Sequence, residues 1–172
     1  MQQGQLLAGK RGLVMGVANE KSIAWGIAAA VAAQGAEIAF SYQMEGFGKR
    51  LKPLANSIGS NLLIECDVAA DGAVESCFQQ LAENWPEIDF VVHALAFSDK
   101  AELKGAYLDT SRDNFINTMM ISAYSFTEVA RAARPMMPAG GSLVTLSYIG
   151  AQRITPNYNV MGVAKAALEA SV

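Results

Sequence analysis

LVMGVANEKSIAWGIAAAVAAQGAEIAFSY, residues 13–42, is the stretch whose reading decides the fold. Leu13-Val14-Met15 is an apolar run of strand length that breaks at Gly16. An Ala-rich segment of helical period follows, ended by Gly35, and a second apolar run, Glu37–Tyr42, comes after it. Strand, helix, strand at this spacing is a parallel crossover unit. The same alternation continues outward. Further strand-length runs are Leu62-Leu63-Ile64, Phe90-Val91-Val92 and Ser142-Leu143-Val144-Thr145-Leu146. Helical patterns fall near 22–34, 46–58, 71–84, 111–134 and 157–171, with Gly, Pro and Asn at most junctions. Short, nearly continuous apolar strands between helices predict a parallel sheet covered on both faces.

The expected fold class is therefore α/β, a Rossmann-like doubly wound sheet forming one domain over residues 1–172. At 172 residues the chain supports one substantial core and not two. A net charge of −3 without a long Lys/Arg block argues against a nucleic-acid or anionic-membrane partner. Lys49, Arg50 and Lys52 cluster, but a solvated helix start accounts for them better than a phosphate contact does. Cys66 and Cys77 lie in apolar surroundings at a spacing unlike a zinc or CxxC site, so no metal is expected and a reduced, cytoplasmic setting is. Met1–Gly9 shows neither the basic nor the apolar region of a signal peptide, and no apolar run is long enough to span a membrane.

The 111–134 pattern carries two apolar rows. One is Phe115, Met119, Ala123, Phe126 and Ala130; the other is Ile116, Met120 and Tyr124. Covering a sheet needs one stripe, so the second row predicts a subunit interface rather than a site beneath a loop.

The turn Gly16-Val17-Ala18-Asn19-Glu20-Lys21-Ser22-Ile23 is not GxGxxG. Gly16 suits a tight turn, Ser22 is a candidate N-cap of a helix aimed at a pyrophosphate, and Gly26 would let that helix approach the sheet. Taken alone the pattern is as often structural as nucleotide-binding; its place after the first strand favours the nucleotide. Gln43 follows the second strand, where an acidic residue would hold the ribose of NAD and an Arg a 2′-phosphate. A neutral amide leans slightly to NAD. Asp67 either holds an adenine edge or caps the helix beginning near Asp71, and both readings stand. His93, the only histidine, has no obvious acidic partner, which favours a satisfied core position over a general base.

Tyr158 and Lys165 lie seven residues apart, close to two helical turns, so one helix would carry both on one face. A phenol whose pKa is lowered by a neighbouring ammonium can protonate a carbonyl oxygen. The usual short-chain dehydrogenase site is Ser followed by Tyr-x-x-x-Lys. Here Met161 stands four residues before Lys165 and Tyr148 stands at the serine place, so the ordinary carbonyl-reducing arrangement is absent.

Gly16-Val17-Ala18 with Ser22-Ile23-Ala24, Tyr42-Gln43, Cys66-Asp67-Val68, Leu146-Ser147-Tyr148 and Pro156-Asn157-Tyr158-Asn159-Val160-Met161-Gly162-Val163-Ala164-Lys165-Ala166-Ala167-Leu168-Glu169 together closely resemble bacterial enoyl-acyl-carrier-protein reductases of the FabI type. These belong to the short-chain dehydrogenase/reductase superfamily. The last block is highly specific, whereas the glycine turn is not. The resemblance implies reduction of a trans-2-enoyl thioester on acyl carrier protein with NADH, the last step of a fatty-acid elongation cycle. It implies that Tyr158 hydrogen-bonds the thioester oxygen, that Lys165 binds the nicotinamide ribose, and that Tyr148 shapes the pocket or handles protons. It further implies cofactor contacts at Gly16, Ser22, Ile23, Gln43, Asp67, Val68, Leu95 and Lys165, an acyl contact at Ser98, and a homotetramer. His93-Ala94-Leu95-Ala96 departs from the His-Ser-Ile-Gly common in the family.

The chain stops at Val172 inside the helix of Lys165, and shows five strands where six are expected. The expectation is the amino-terminal part of a longer enzyme, inactive by itself. The alternatives are a carbonyl or β-keto reductase of the same fold, opposed by Met161, and a non-catalytic nucleotide-binding or oligomerisation fragment.

Overall fold

The computed structural model describes residues 4–172, so the first three residues of the Met1–Gly9 stretch lie outside it. The chain divides into two compact units: residues 4–94 with Ala130–Thr145, and Leu95–Val129 with Leu146–Val172.

The first unit is the sheet. Strands β1 (Arg11–Met15), β2 (Glu37–Tyr42), β3 (Leu62–Glu65), β4 (Phe90–His93) and β5 (Ser142–Thr145) run parallel in the order β3-β2-β1-β4-β5. The register places Met15 beside both Ser41 and His93, so the strand tips fall level. The chain lays strands to one side of β1 and then returns to lay β4 and β5 on the other. That reversal makes β1 and β4 the switch point of the sheet, and sheets of this kind take ligands beyond the carboxyl ends of such strands.

Helices α1 (Ile23–Ala32), α2 (Glu45–Ser57) and α3 (Ala73–Asn84) belong to this unit. Val14, Phe40 and Val92 pack with Ala24 and Ala28 of α1 and Leu51 and Ala55 of α2. Small residues on the inner faces of both helices let them sit close over the central strands. Trp25 tilts against Phe40 with ring centroids 6.3 Å apart. On α3 the buried row Val74, Cys77, Phe78, Leu81 has helical spacing. Asp89, just before β4, takes Lys10 Nζ at 2.7 Å and the Arg11 amide at 2.9 Å, joining the starts of two neighbouring strands.

The second unit carries α4 (Arg112–Met119), the start of α5 (Ser125–Ala133) and α6 (Asn159–Ser171). The 111–134 pattern is one uninterrupted helix in the sequence reading, but a π-helical turn, Met120–Tyr124, separates α4 from α5. Ser125 Oγ donates back to the Ile121 carbonyl at 2.7 Å, a local bond that competes with the regular ladder. Ser111 caps α4, accepting the Asn114 amide at 3.2 Å.

The amphipathicity of this stretch is inverted relative to the expectation for its first apolar row. Asn114, Thr118, Ser122 and Ser125 are buried, while Phe115, Ile116, Met120 and Tyr124 are exposed. Phe115 therefore does not cover the interior; of its row only Ala123 and Phe126 are fully inside. The second row, Ile116, Met120 and Tyr124, lies outward.

Candidate active site

In the sheet unit the turn after β1 is built around Gly16, at φ +96°. A Cβ there would lie 2.1 Å from the Ala94 carbonyl oxygen, so both conformation and space demand glycine. Ser22 occupies the cap position of α1 with extended backbone, but its hydroxyl does not cap the helix. Ser22 Oγ instead accepts the Ala18 and Asn19 amides at 3.0 and 3.1 Å, and Asn19 Oδ1 accepts the Lys21 amide at 2.8 Å. The expected cap is thus a loop brace. The first-turn amides of α1 stay clear of that hydroxyl, as an anion site requires. Ile23 is exposed beside it. Gly26 does not mediate a close helix–sheet approach: a Cβ there would meet nothing within 4 Å.

The ends of β2 and β3 bring Gln43 and Asp67 together. Gln43 Nε2 donates to Asp67 Oδ2 at 3.2 Å, and Asp67 Oδ1 accepts the Ala69 amide at 3.1 Å. Asp67 does not cap the following helix, whose cap residue is Gly72. Val68 is buried next to this pair. His93 is fully buried, its Nδ1 3.1 Å from Thr145 Oγ1, which donates to the His93 carbonyl at 3.2 Å. It is a satisfied core histidine joining two strands. Cys66 and Cys77 are buried as well; the hydrogen bond with Cys66 and then burial push the Cys77 thiol up, keeping it protonated. Lys49 pairs with Glu45 at 2.9 Å on an exposed turn, as a solvated helix start should. Among the described residues no group of three or more His, Cys, Asp or Glu is placed to hold a metal ion. No helix among them is long and apolar enough to cross a membrane.

The second unit brings Tyr148, Tyr158 and Lys165 into one neighbourhood around α6. The rings of Tyr148 and Tyr158 lie 4.9 Å apart at 57°. Tyr158 is not inside the helix: it is the residue before α6, at φ −123° and ψ −15°, and its carbonyl accepts the Gly162 amide at 3.1 Å. Lys165, two turns on, is buried, and its Nζ donates to the Leu146 carbonyl at 2.7 Å. The lowered phenol expected from Tyr158 and Lys165 is not found. Desolvation first, and the Tyr148 phenol second, hold the Tyr158 pKa above its ordinary value. Burial likewise pushes Lys165 down. Tyr158 is therefore a neutral hydrogen-bond donor.

Several supporting residues escape a reading of the sequence alone. A Cβ on Gly150 would fall 2.4 Å from Tyr158 Cδ1, and one on Gly162 would fall 2.8 Å from the Gly150 carbonyl oxygen. Gly150 makes room for the phenol ring, and Gly162 makes room for the Gly150 backbone. Glu169, one turn beyond Lys165, accepts from Ser147 Oγ and from Gln152 Nε2, so α6 grips the Tyr148 loop at two levels. The sequence signal was the i, i+4 spacing of Lys165 and Glu169 within one block.

Leu95 opens this unit, partly buried. Ser98 Oγ accepts from Thr118 Oγ1 at 2.9 Å and from Asn114 Nδ2 at 3.2 Å. The inward polar row of α4 thus fixes the 95–99 segment, with Ser122 Oγ reaching both the amide and the carbonyl of Phe97.

A family model described as enoyl-(acyl carrier protein) reductase matches residues 16–172. The chain is 60 % identical over 167 residues to enoyl-[acyl-carrier-protein] reductase [NADH] 2 of Rhizobium meliloti, covering 97 % of this chain and 62 % of that protein. It is 53 % identical over 167 residues to enoyl-[acyl-carrier-protein] reductase [NADH] FabI of Rickettsia bellii, covering 97 % and 64 % respectively. A crystal structure of the Anaplasma phagocytophilum reductase in complex with NAD matches with a TM-score of 0.97 at 59 % identity, covering 100 % of this chain and 66 % of that one. The chain spans somewhat less than two thirds of the length of these relatives.

Proposed function

This chain belongs to the enoyl-(acyl carrier protein) reductase family, and on that premise we propose that the whole protein reduces trans-2-enoyl thioesters on acyl carrier protein with NADH. The observation that carries the reading is the Tyr148–Tyr158 ring pair at the start of the helix that carries buried Lys165. Met161, where a carbonyl reductase of this fold has its tyrosine, is buried in the core and has no proton to give.

The residues of the sheet unit fit a dinucleotide. Gly16 lets the turn pass tightly against the Ala94 backbone, and the Ser22 brace fixes that turn in front of α1. Gln43 and Asp67 together offer an amide and a carboxylate to an adenosine moiety, with Val68 beside them. A 2′-phosphate would bring a dianion toward Asp67, which disfavours NADPH. Ile23 and Leu95 supply apolar contacts to the cofactor.

When bound, reduced nicotinamide supplies the hydride, which goes to the β-carbon of the substrate. Tyr158, neutral and partly desolvated, donates to the thioester oxygen as negative charge gathers there. Nζ of Lys165 has three N–H donors, one of which is spent on Leu146, leaving others for the nicotinamide ribose hydroxyls. Its charge also favours the enolate. Tyr148 walls the phenol and shapes the acyl pocket, to which the Ser98 segment contributes. Acyl carrier protein is the protein partner, the outward row of α4 serves a homotetramer, and the setting is cytoplasmic.

The test is NADH oxidation by the whole protein with a crotonyl thioester and, in parallel, with a simple ketone and a β-keto thioester. Turnover confined to the enoyl substrate is expected. Turnover of the ketone or β-keto thioester without the enoyl thioester overturns the reading in favour of a carbonyl reductase.

A further inference from the structure

Tyr158 sits between two asparagines in unusual conformations. Asn157 has φ +58° and Asn159 has φ +20°, the positive-φ non-glycine residues among those described. Asparagine tolerates this region better than most side chains, yet two in three residues is a local cost that the surroundings must hold. The Asn159 side chain shows what holds it. Nδ2 lies 3.2 Å from the Glu102 carbonyl oxygen and 3.3 Å from those of Lys104 and Gly105. One amide group thus clasps three carbonyls of a single loop.

That loop is held from its other side as well. The Glu102 carboxylate accepts the Ser111 amide and hydroxyl, each at 2.8 Å, and Asn114 Nδ2 at 3.2 Å. Asn114 also binds Ser98 and the Asp99 amide. The segment from Ser98 to Gly105 is fastened to the start of α4 at one end and to the start of α6 at the other. Because Asn159 is the first residue of α6, its clasp fixes the backbone immediately after Tyr158.

We propose that Asn159 is a positioning residue that sets the Tyr158 phenol by clasping the 102–105 loop, a role that rests on the function proposed above. It touches neither the reacting atoms nor the cofactor; it acts through the backbone of its neighbour. Small displacements of a group that must meet developing charge cost rate far more than binding.

The experiment is a double-mutant cycle in the whole protein, with NADH and a crotonyl thioester. Asn159→Asp keeps the side-chain shape and tolerance of positive φ, but sets a carboxylate against three carbonyl oxygens. It should lower kcat about tenfold or more while KM for NADH stays within about twofold. Added to Tyr158→Phe, it should cost almost nothing further. A merely structural role would give additive losses, and additive losses overturn the proposal, as does an unchanged kcat in Asn159→Asp. If that variant does not fold, Asn159→Ser takes its place in the same cycle. If the wild-type protein reduces no enoyl thioester, the function fails and amide exchange decides the clasp alone. Residues 102–105 and 158–162 must then loosen together in the variant, and loosening of one stretch without the other overturns it.

Discussion

Tyr158 is the residue on which the proposed chemistry turns, and its protonation has a definite sign. Burial and the adjoining Tyr148 ring disfavour the phenolate, so the pKa lies above the ordinary 10.0 and the neutral donor persists to higher pH than in a free tyrosine. In the whole protein, kcat should show no fall from phenol ionisation until pH exceeds that ordinary value. A descending limb below it that vanishes in Tyr158→Phe would contradict the assignment. Tyr158→Phe itself should lower kcat on the order of a hundredfold, the cost of one donor to a developing oxyanion, with NADH affinity nearly unchanged. Lys165 makes the complementary case. Lys165→Met keeps much of the volume and removes charged donors, so fluorescence titration should show NADH binding weakened about tenfold, as for loss of one charge-assisted hydrogen bond. Unchanged affinity would remove Lys165 from the ribose.

At the scale of elements, two glycines flanking one turn have opposite roles. Gly16 is locked at φ +96° against the Ala94 carbonyl. Gly26, inside α1, faces open space. Gly16→Ala should destabilise by about 2–3 kcal/mol, while Gly26→Ala should stabilise by about 1 kcal/mol, the ordinary gain of alanine over glycine in a helix. Denaturant unfolding of both variants separates them; a cost at Gly26 would restore the close approach that its position suggested. The contrast also shows what was legible. Strand existence, the placing of the helical stretches and the Gly16 turn follow from apolar period and punctuation, because those patterns are set by local geometry. Helix ends were read a residue or two too wide, and Tyr158 was placed within a helix that begins after it. The π turn at Met120–Tyr124 and the inward polar row of α4 were not legible. Both depend on partners such as Phe97 and Ser98 that are remote in sequence, and an apolar row by itself does not say which side faces the interior.

For the molecule as a whole, the doubly wound parallel sheet was readable from alternation, whereas right-handed crossovers allow more than one strand order and β3-β2-β1-β4-β5 comes from the structure. The candidate site was legible only as residue types. Gln43, Asp67, Tyr148, Tyr158 and Lys165 could be named, but the Gln43–Asp67 bond, the raised phenol and the glycine that seats its ring arise from packing. The proposed assembly rests on a different kind of observation. A helix that buries Asn114, Thr118 and Ser122 and exposes Ile116, Met120 and Tyr124 reverses the usual economy of a surface helix. A second copy of this face is the cover that the proposed assembly would supply. An isologous contact repeats every substitution across its axis, so one lysine enters as two facing charges. Met120→Lys and Ile116→Lys should therefore shift the proposed tetramer to smaller species in sedimentation velocity of the whole protein. The monomer's circular dichroism should not change, since neither side chain contributes to the interior. An assembly that sediments unaltered with both lysines in place would move the interface to another face.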